Sequence, residues 1–232
     1  MPWDLVLGLT PHIVHRTHED LDTFTRTIVA RMHPTPRVEG LELLPRDPRF
    51  LLVANHYQRK GLWILFPAAV ITQAIRARYG PAQVPMRWVV TANWPPVRMG
   101  PWRFPSPGDW LLPRVAHALS CYPVAFAGAN PTRTGVALAR LLKDARTLGR
   151  PIGLFPEGVA GSAGRLSPPL PGVERLIAHL ARCGWPAVPA AIFERHCLVV
   201  RFGAAVTAQT LLEVPDAAAF LMSRIQGGLP RS

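Results

Sequence analysis

Short continuous apolar runs alternate along the chain with segments in which apolar residues recur at helical spacing. Residues 50–54 form one such run, Phe-Leu-Leu-Val-Ala, which is typical of a strand buried on both faces. From Leu21 to Met32 the apolar residues instead repeat every three or four positions, which predicts a helix that stops before Pro34. The same two patterns predict further strands at 37–44, 87–91, 122–126, 151–155, 187–193 and 197–202. They also predict further helices at 61–79, 132–148 and 215–226, and one that begins at Val173 and ends near Gly184. This alternation predicts an α/β fold, with a mixed, largely parallel central sheet flanked by helices in a single domain.

The segment 93–113 breaks this pattern, because it contains six prolines and three tryptophans. Such a composition predicts a loop and no regular element. Tryptophans beside Arg98 and Arg103 suit the headgroup region of a membrane, and packing of the rings against the core is the slightly favoured alternative.

In the helix 132–148, the spacing of apolar residues predicts a regular core-facing stripe formed by Val136, Leu138, Leu141, Leu142, Ala145 and Leu148.

The chain has 232 residues, which is enough for one domain with a full core and for two at most. We divide it into an N-terminal helical segment, 1–36, which could contact a membrane, and an α/β domain, 37–232. The start of the chain lacks the pattern of a signal peptide. The longest apolar run, 61–75, is too short to span a bilayer. We therefore expect a cytoplasmic protein that is soluble or peripheral on the inner face of the cell membrane.

Lysine and arginine together number 26 against 14 acidic residues, for a net charge of +12, and only two of the basic residues are lysines. This excess predicts an anionic partner, which could be nucleic acid, an anionic membrane surface or a phosphorylated molecule. No nucleic-acid-binding pattern accompanies the charge, so we expect no nucleic acid partner. The three cysteines have no metal-ligand spacing, which argues against a zinc site or a disulfide framework.

Two segments place polar residues where predicted strands end. Asn55 and His56 follow the strand 50–54, and Glu157 follows the strand 151–155 within the tetrapeptide Phe155-Pro156-Glu157-Gly158. Because α/β folds place their sites at the carboxyl ends of strands, these residues are candidates for chemistry. A histidine there can act as a general base, although a helix-capping role is the more common one for such a dipeptide.

A glycine-rich stretch leads from Gly158 to Arg165, which could pair with a phosphate group. The stretch is not a P-loop, because no Gly-Lys-Ser/Thr follows it. Taken alone, this segment is better described as a surface turn with a solvated Glu157.

Taken together, and in this order, the two segments resemble the motifs of the glycerolipid, or lysophosphatidic acid-type, acyltransferase family. The resemblance runs from about Val38 to Val206, and Phe-Pro-Glu-Gly is its most specific element. It implies transfer of a fatty acyl group from coenzyme A or acyl carrier protein to a hydroxyl, usually on a glycerol phosphate backbone. The thioester is a co-substrate, and neither a cofactor nor a metal is implied.

By this resemblance His56 would be the general base and Glu157 would position the acceptor. The substrate-binding residues would be Asn55, Arg59, Phe155, Pro156, Gly158 and Arg165. The family motif Asn-His-x4-Asp also supplies an aspartate that orients the histidine, but Gly61 occupies that position here. The arginines that usually follow the second and third motifs are absent too, and Arg59, Arg133 or Arg165 could replace them.

Two functions therefore remain open. The first is an acyltransferase of altered chemistry, with a lipid or glycerol phosphate acceptor and an anionic membrane surface as its partners. The second is a catalytically inert relative that binds lipid, an acyl thioester or a membrane. The missing motif aspartate favours the second, whereas the retained His56 and Glu157 favour the first.

Overall fold

The computed structural model describes residues 3–80, 86–92, 97–99, 102–104, 106, 108–124, 131–158 and 166–230. The helices, in chain order, are α1 (Trp3–Gly8), α2 (Thr10–His15), α3 (Leu21–Ala30), α4 (Leu65–Tyr79), α5 (Gly108–Ala118), α6 (Pro131–Thr147), α7 (Val173–Arg182), α8 (Ala208–Glu213) and α9 (Ala217–Gly228). The strands are β1 (Arg37–Glu39), β2 (Leu51–Ala54), β3 (Arg87–Thr91), β4 (Val97–Met99), β5 (Trp102–Phe104), β6 (Tyr122–Val124), β7 (Ile152–Leu154), β8 (Ala187–Glu194) and β9 (Leu198–Phe202).

Contacts divide the chain into two compact units. The first comprises Asp22–Met86 and Asp144–Ser232 together with Met1, and the second comprises Pro2–Leu21 and Arg87–Lys143. The predicted boundary between residues 36 and 37 is not tested by this division and stays a prediction.

The first unit contains a mixed sheet in the order β1-β9-β8-β2-β7. Strand β2 is parallel to both β7 and β8, and β1 is parallel to β9, while β8 and β9 form an antiparallel pair. Every residue of β2 is buried, as its continuous apolar sequence predicts. Helix α9 packs against β8 and helix α4 against β9. The predicted α/β fold, with a mixed, largely parallel sheet flanked by helices, is thereby confirmed.

The second unit contains a parallel pair, β3 and β6, and an antiparallel pair, β4 and β5. The latter pair corrects the prediction that 93–113 is a loop without regular elements. In each of its strands an arginine lies between two apolar residues, which is the alternation typical of a strand, and the surrounding prolines obscured that signal.

Helix α5 is a second correction within the segment 93–113. It includes Pro113, whose ring removes one backbone donor without ending the helix.

Two further predictions need correction at their boundaries, and one short helix was missed. Helix α4 begins at Leu65, because a tight turn occupies the residues before it. Pro67 lies in the first turn of this helix, where a backbone N–H would have no carbonyl partner within the helix, so the proline is tolerated. Strand β1 ends at Glu39, because Gly40 adopts a left-handed conformation with φ of 72°. The short helix α8 was not predicted. Its N-cap is Thr207, whose side chain accepts a hydrogen bond from the Thr210 amide.

The inward stripe of helix α6 is also different from the predicted one. Val136 is 67% exposed and Leu148 is 40% exposed, so neither faces the core. Among the described side chains of this helix, Ala137, Leu141 and Ala145 are buried, which confirms the prediction for Leu141 and Ala145. These three residues are four apart, so a single face of the helix carries them and Val136 lies one step outside that face.

The predicted membrane or core contact of the tryptophans is only partly described. Trp110 in α5 is 58% exposed, and the guanidinium of Arg114 lies 4.2 Å from its ring centroid. Trp110 therefore does not pack on the core, in contrast to the favoured alternative. Trp94 lies outside the described residues. Over the described part of the chain, none of the helices has both the length and the apolar character needed to cross a bilayer.

Candidate functional site

The site lies in the first unit, at the carboxyl ends of three neighbouring strands. Asn55 and His56 follow β2, the Phe-Pro-Glu-Gly segment follows β7, and Glu194 ends β8. Because β2 is parallel to β7 and to β8, these three ends lie at one edge of the sheet.

Asn55 joins the end of β2 to β8 through its side chain. Its Nδ2 donates to the carbonyl of Ile192 at 2.9 Å, and its Oδ1 accepts from the amide of Ile192 at 2.7 Å. The buried side chain thus continues the backbone pairing one step beyond the strand. Asn55 was predicted to bind substrate. In the structure, both the oxygen and the nitrogen of its side-chain amide make hydrogen bonds to the backbone of Ile192.

Glu157 holds the backbone of His56. Its Oε1 accepts from the His56 amide at 2.7 Å, and its Oε2 accepts from the Ser167 amide at 2.6 Å. The carboxyl group is almost fully buried, and this burial raises the pKa of Glu157, an effect that the two amide donors partly offset. Both oxygens of Glu157 are therefore engaged with main-chain donors.

The Phe-Pro-Glu-Gly segment forms a tight turn that presents this carboxylate. The amide of Gly158 donates to the carbonyl of Phe155 at 3.2 Å, and Gly158 has a φ of 65°, a conformation that favours glycine. Pro156 is buried, and its carbonyl accepts from the Leu170 amide at 2.8 Å. These bonds fix the turn, so Phe155, Pro156 and Gly158 form the frame around Glu157.

The imidazole of His56 is half-buried and lies against the ring of Phe155. The two ring centroids are 5.7 Å apart with an interplanar angle of 70°, an edge-to-face arrangement. Burial lowers the pKa of His56, because desolvation disfavours the imidazolium, and an interaction with its own backbone only partly offsets this. Its Nδ1 atom is buried and has no hydrogen-bond partner among the described residues. A neutral imidazole at pH 7 is the form that can accept a proton.

Gly61, which occupies the position of the motif aspartate, lies in a two-residue turn. The amide of Arg59 donates to the carbonyl of Leu62 at 3.0 Å, and the amide of Leu62 donates to the carbonyl of Arg59 at 2.9 Å. Lys60 and Gly61 close this turn, and Gly61 has a φ of 82°. Such a φ favours glycine over aspartate, which gives the departure from the motif a local conformational reason.

Arg59 is paired with Glu194, a residue that the sequence analysis did not identify. The guanidinium contacts both carboxylate oxygens, Nε to Oε2 at 2.5 Å and Nη2 to Oε1 at 2.6 Å, and the hydroxyl of Tyr57 donates to Oε2 at 2.8 Å. The pair lowers the pKa of Glu194, chiefly through the hydrogen bonds from Arg59. Burial and the neighbouring carboxylate raise the pKa of Tyr57 to about 12.

Glu194 could have been found from the sequence, because it is a polar residue at the carboxyl end of a predicted strand. The same criterion, the strand-end rule, selected Asn55 and Glu157. Ser167 and the backbone of Ile192 carried no comparable signal, because they contribute only main-chain groups. Arg165 lies outside the described residues, and the side chain of Arg133 is not described. The described residues contain no group of three His, Cys, Asp or Glu side chains that could hold a metal ion.

Comparison with known proteins supports the fold. No protein-family model matches the sequence, and no curated protein matches it either. Among solved structures, the chain is similar to the crystal structure of the 1-acyl-sn-glycerophosphate (LPA) acyltransferase PlsC from Thermotoga maritima. The TM-score is 0.58 with 14% sequence identity, over 90% of this chain and 76% of that chain. The chain therefore shares the fold of that acyltransferase.

Proposed function

We propose that this protein transfers a fatty acyl group from an acyl thioester to a hydroxyl group of a lipid or glycerol phosphate acceptor, with His56 as the general base. The observation that carries the proposal is a half-buried imidazole whose backbone amide is held by Glu157, at the edge of a sheet that shares the fold of an acyltransferase. Burial lowers the pKa of this imidazole, which favours its neutral form. The donor would be a coenzyme A or acyl carrier protein thioester, and an anionic membrane surface would present the acceptor.

In this proposal the chemistry needs little beyond a base and correct positioning, because a thioester is already an activated acyl donor. His56 removes the proton of the acceptor hydroxyl, whose oxygen attacks the thioester carbonyl to form the ester bond. The carbon–sulfur bond then breaks, and the protonated His56 returns the proton to the departing thiolate, which releases the free thiol. Asn55 and Glu157 keep the His56 backbone in place through the Ile192 and His56 main-chain groups. Correct positioning of the reacting groups can supply about 7–11 kcal/mol of the barrier.

The test is release of free thiol from palmitoyl-coenzyme A or palmitoyl-acyl carrier protein by the purified protein, in the presence of monoacylglycerol or glycerol 3-phosphate. We expect His56→Ala to lower the rate by about 10²–10⁴-fold, the usual contribution of a general base. His15→Ala, a change at an exposed histidine of helix α2, is the matched control and should leave the rate unchanged. Equal rates for His56→Ala and the unmodified protein would reject the proposed role of His56.

A second candidate is an inert relative that binds lipid, an acyl thioester or a membrane. It is favoured by the buried Nδ1 atom of His56, which no described carboxylate contacts. Two variants of one shape separate the candidates, Gly61→Asp and Gly61→Asn, because both place a side chain on the same turn and only the first can carry a negative charge. Two results together would favour the inert relative. The unmodified protein would show no turnover, and Gly61→Asp would turn over substrate at least tenfold faster than Gly61→Asn. Turnover by the unmodified protein would exclude it.

A further inference from the structure

The segment that follows His56 is fastened to the end of strand β8 by one carboxylate. Glu194 accepts two hydrogen bonds from the guanidinium of Arg59 and one from the hydroxyl of Tyr57. A third guanidinium nitrogen, Nη1, donates to the carbonyl of Lys60 at 2.9 Å. Arg59 thereby engages all three of its nitrogen atoms within the protein.

The same strand holds the chain on the other side of His56. The side chain of Asn55 is bonded to the backbone of Ile192, two residues before Glu194 on β8. The catalytic candidate is thus bracketed by two attachments to one strand, with its own amide held by Glu157. Loss of the Glu194 contacts would release the chain directly after His56.

The pairing also determines which edge of Arg59 remains available. A guanidinium binds phosphate most strongly through the two parallel donors of one edge, and here the edge formed by Nε and Nη2 faces the Glu194 carboxylate. Arg59 keeps the pKa of Glu194 low, so the carboxylate stays ionised and the pair has no net charge. A phosphate group of an acceptor would have to displace Glu194 to use that edge.

We propose that Glu194 is a positioning and specificity-determining residue, which holds the segment after His56 and withholds Arg59 from anionic acceptors. The acceptor favoured at this edge is then a hydroxyl on an uncharged lipid rather than on a glycerol phosphate. This inference rests on the proposed acyltransferase function for its kinetic part. Its binding part concerns only Glu194 and Arg59 and holds for an inert protein as well.

The binding experiment measures the affinity of the full chain for inorganic phosphate by calorimetry. We expect Glu194→Gln, which keeps the shape and removes the charge, to bind phosphate at least tenfold more tightly than the unmodified protein. The double variant Glu194→Gln/Arg59→Met should lose this gain, and Arg59→Met alone should leave phosphate affinity unchanged. Unaltered affinity in a folded Glu194→Gln variant would overturn the proposal. So would a loss of affinity in Arg59→Met of fivefold or more. If Glu194→Gln does not fold, the phosphate affinity of Arg59→Met alone supports or overturns the proposal.

The kinetic experiment compares kcat/KM for monoacylglycerol and for glycerol 3-phosphate. We expect Glu194→Gln to shift the ratio of the two values at least tenfold towards glycerol 3-phosphate, whereas general destabilisation would lower both values together. Glu39→Gln is the matched control, since it breaks the Arg201 ion pair elsewhere in the same sheet, and it should leave the ratio unchanged. An unchanged ratio in Glu194→Gln would contradict the proposal. Absence of turnover in every form would instead reject the proposed acyltransferase function, and phosphate binding would still test Glu194.

Discussion

At the scale of single residues, the site is held through its main chain. Glu157 accepts from the amide of His56 and Asn55 bonds to the backbone of Ile192, whereas the His56 ring has an edge contact with Phe155. Burial lowers the pKa of His56, so its imidazole is neutral over a wider range of pH than that of an exposed histidine. The ring thus owes its protonation state to its surroundings and its location to the backbone.

The lowered pKa of His56 predicts the acid side of the pH–rate profile. A general base works in its neutral form, so the rate falls as the pH drops through the pKa of that base. Because burial lowers this pKa, we expect the midpoint of the fall in kcat/KM to lie below about 6.5, the value of an unperturbed histidine. The measurement is kcat/KM from pH 4 to 9 for a substrate that does not titrate there. A midpoint above the unperturbed value would contradict the assignment of the limb to His56.

Glu157 makes a second prediction at this scale, which concerns stability. A carboxylate accepts from both the His56 and Ser167 amides, but a glutamine can accept through one oxygen only and turns a donor towards the other amide. We expect Glu157→Gln to lower the free energy of unfolding by about 1–3 kcal/mol, the cost of an unsatisfied buried group. Urea unfolding measures this change in the free energy of unfolding. Glu42→Gln, at an exposed position, serves as the control and should change stability little. A Glu157→Gln variant as stable as that control would contradict the two-amide role.

At the scale of elements, the junction between β1 and β9 depends on the absence of a side chain at Gly40. This residue has a φ of 72°, and a Cβ atom there would lie 2.3 Å from the carbonyl oxygen of Phe202. We expect Gly40→Ala to destabilise the protein by at least about 2 kcal/mol, since backbone strain adds to a steric clash. The measurement is the urea midpoint.

Gly172 provides the matched control for that substitution. It is also left-handed, with φ of 93° and ψ of −14° against 72° and 20° at Gly40, but a Cβ atom there would meet no other atom within 4 Å. Gly172→Ala therefore isolates the conformational cost, about 1–2 kcal/mol. Equal losses of stability in the two variants would show that the contact with Phe202 contributes nothing.

The elements also show what the sequence could predict. Strands β2, β7 and β8 were predictable because each is a short apolar run between turn signals, and the strand-end rule then found Asn55, His56 and Glu157. What these side chains bond to was not predictable, since Asn55 and Ile192 are 137 positions apart and meet only through the order of the strands. Patterns within a segment determine its type, whereas contacts between segments depend on the tertiary fold.

The same limit explains the turn at Lys60 and Gly61. Its signal is a single glycine inside an apolar stretch, which is compatible with a helix as well as with a turn. The ion pair between Arg59 and Glu194 distinguishes the two, and it joins residues that are 135 positions apart. The two strands within 97–104 were missed for another reason, because the surrounding prolines obscured the alternating pattern of these three-residue strands.

At the scale of the whole molecule, the net charge of +12 coexists with acidic residues that are already paired. Glu39, Asp47 and Glu194 each contact an arginine, so these acids offer little free negative charge. The net charge that remains is strongly basic and would favour anionic surfaces. We expect binding to anionic vesicles that weakens as salt increases, because each basic residue near such a surface contributes about 1 kcal/mol before screening.

The second unit has the residues to make this contact apolar as well as electrostatic. Leu7, Val14 and Trp110 are exposed there, helix α2 contacts helix α5, and Arg114 stacks on Trp110. An indole ring beside a cation suits the headgroup region of a bilayer. We expect Trp110→Ala to weaken partition into phosphatidylglycerol vesicles roughly tenfold, which corresponds to the burial of one large apolar side chain.

A co-sedimentation assay with Leu212→Ala as the control tests this expectation. Leu212 is an exposed apolar residue of helix α8 in the first unit, so its loss removes apolar surface without touching the second unit. If Trp110→Ala and Leu212→Ala weaken binding equally, general surface hydrophobicity explains the association. If only Trp110→Ala weakens binding, the indole contributes specifically. A smaller salt dependence in Trp110→Ala than in the unmodified protein would then show that the indole and the arginine charge act at one contact, because two independent contacts would leave the salt dependence unchanged.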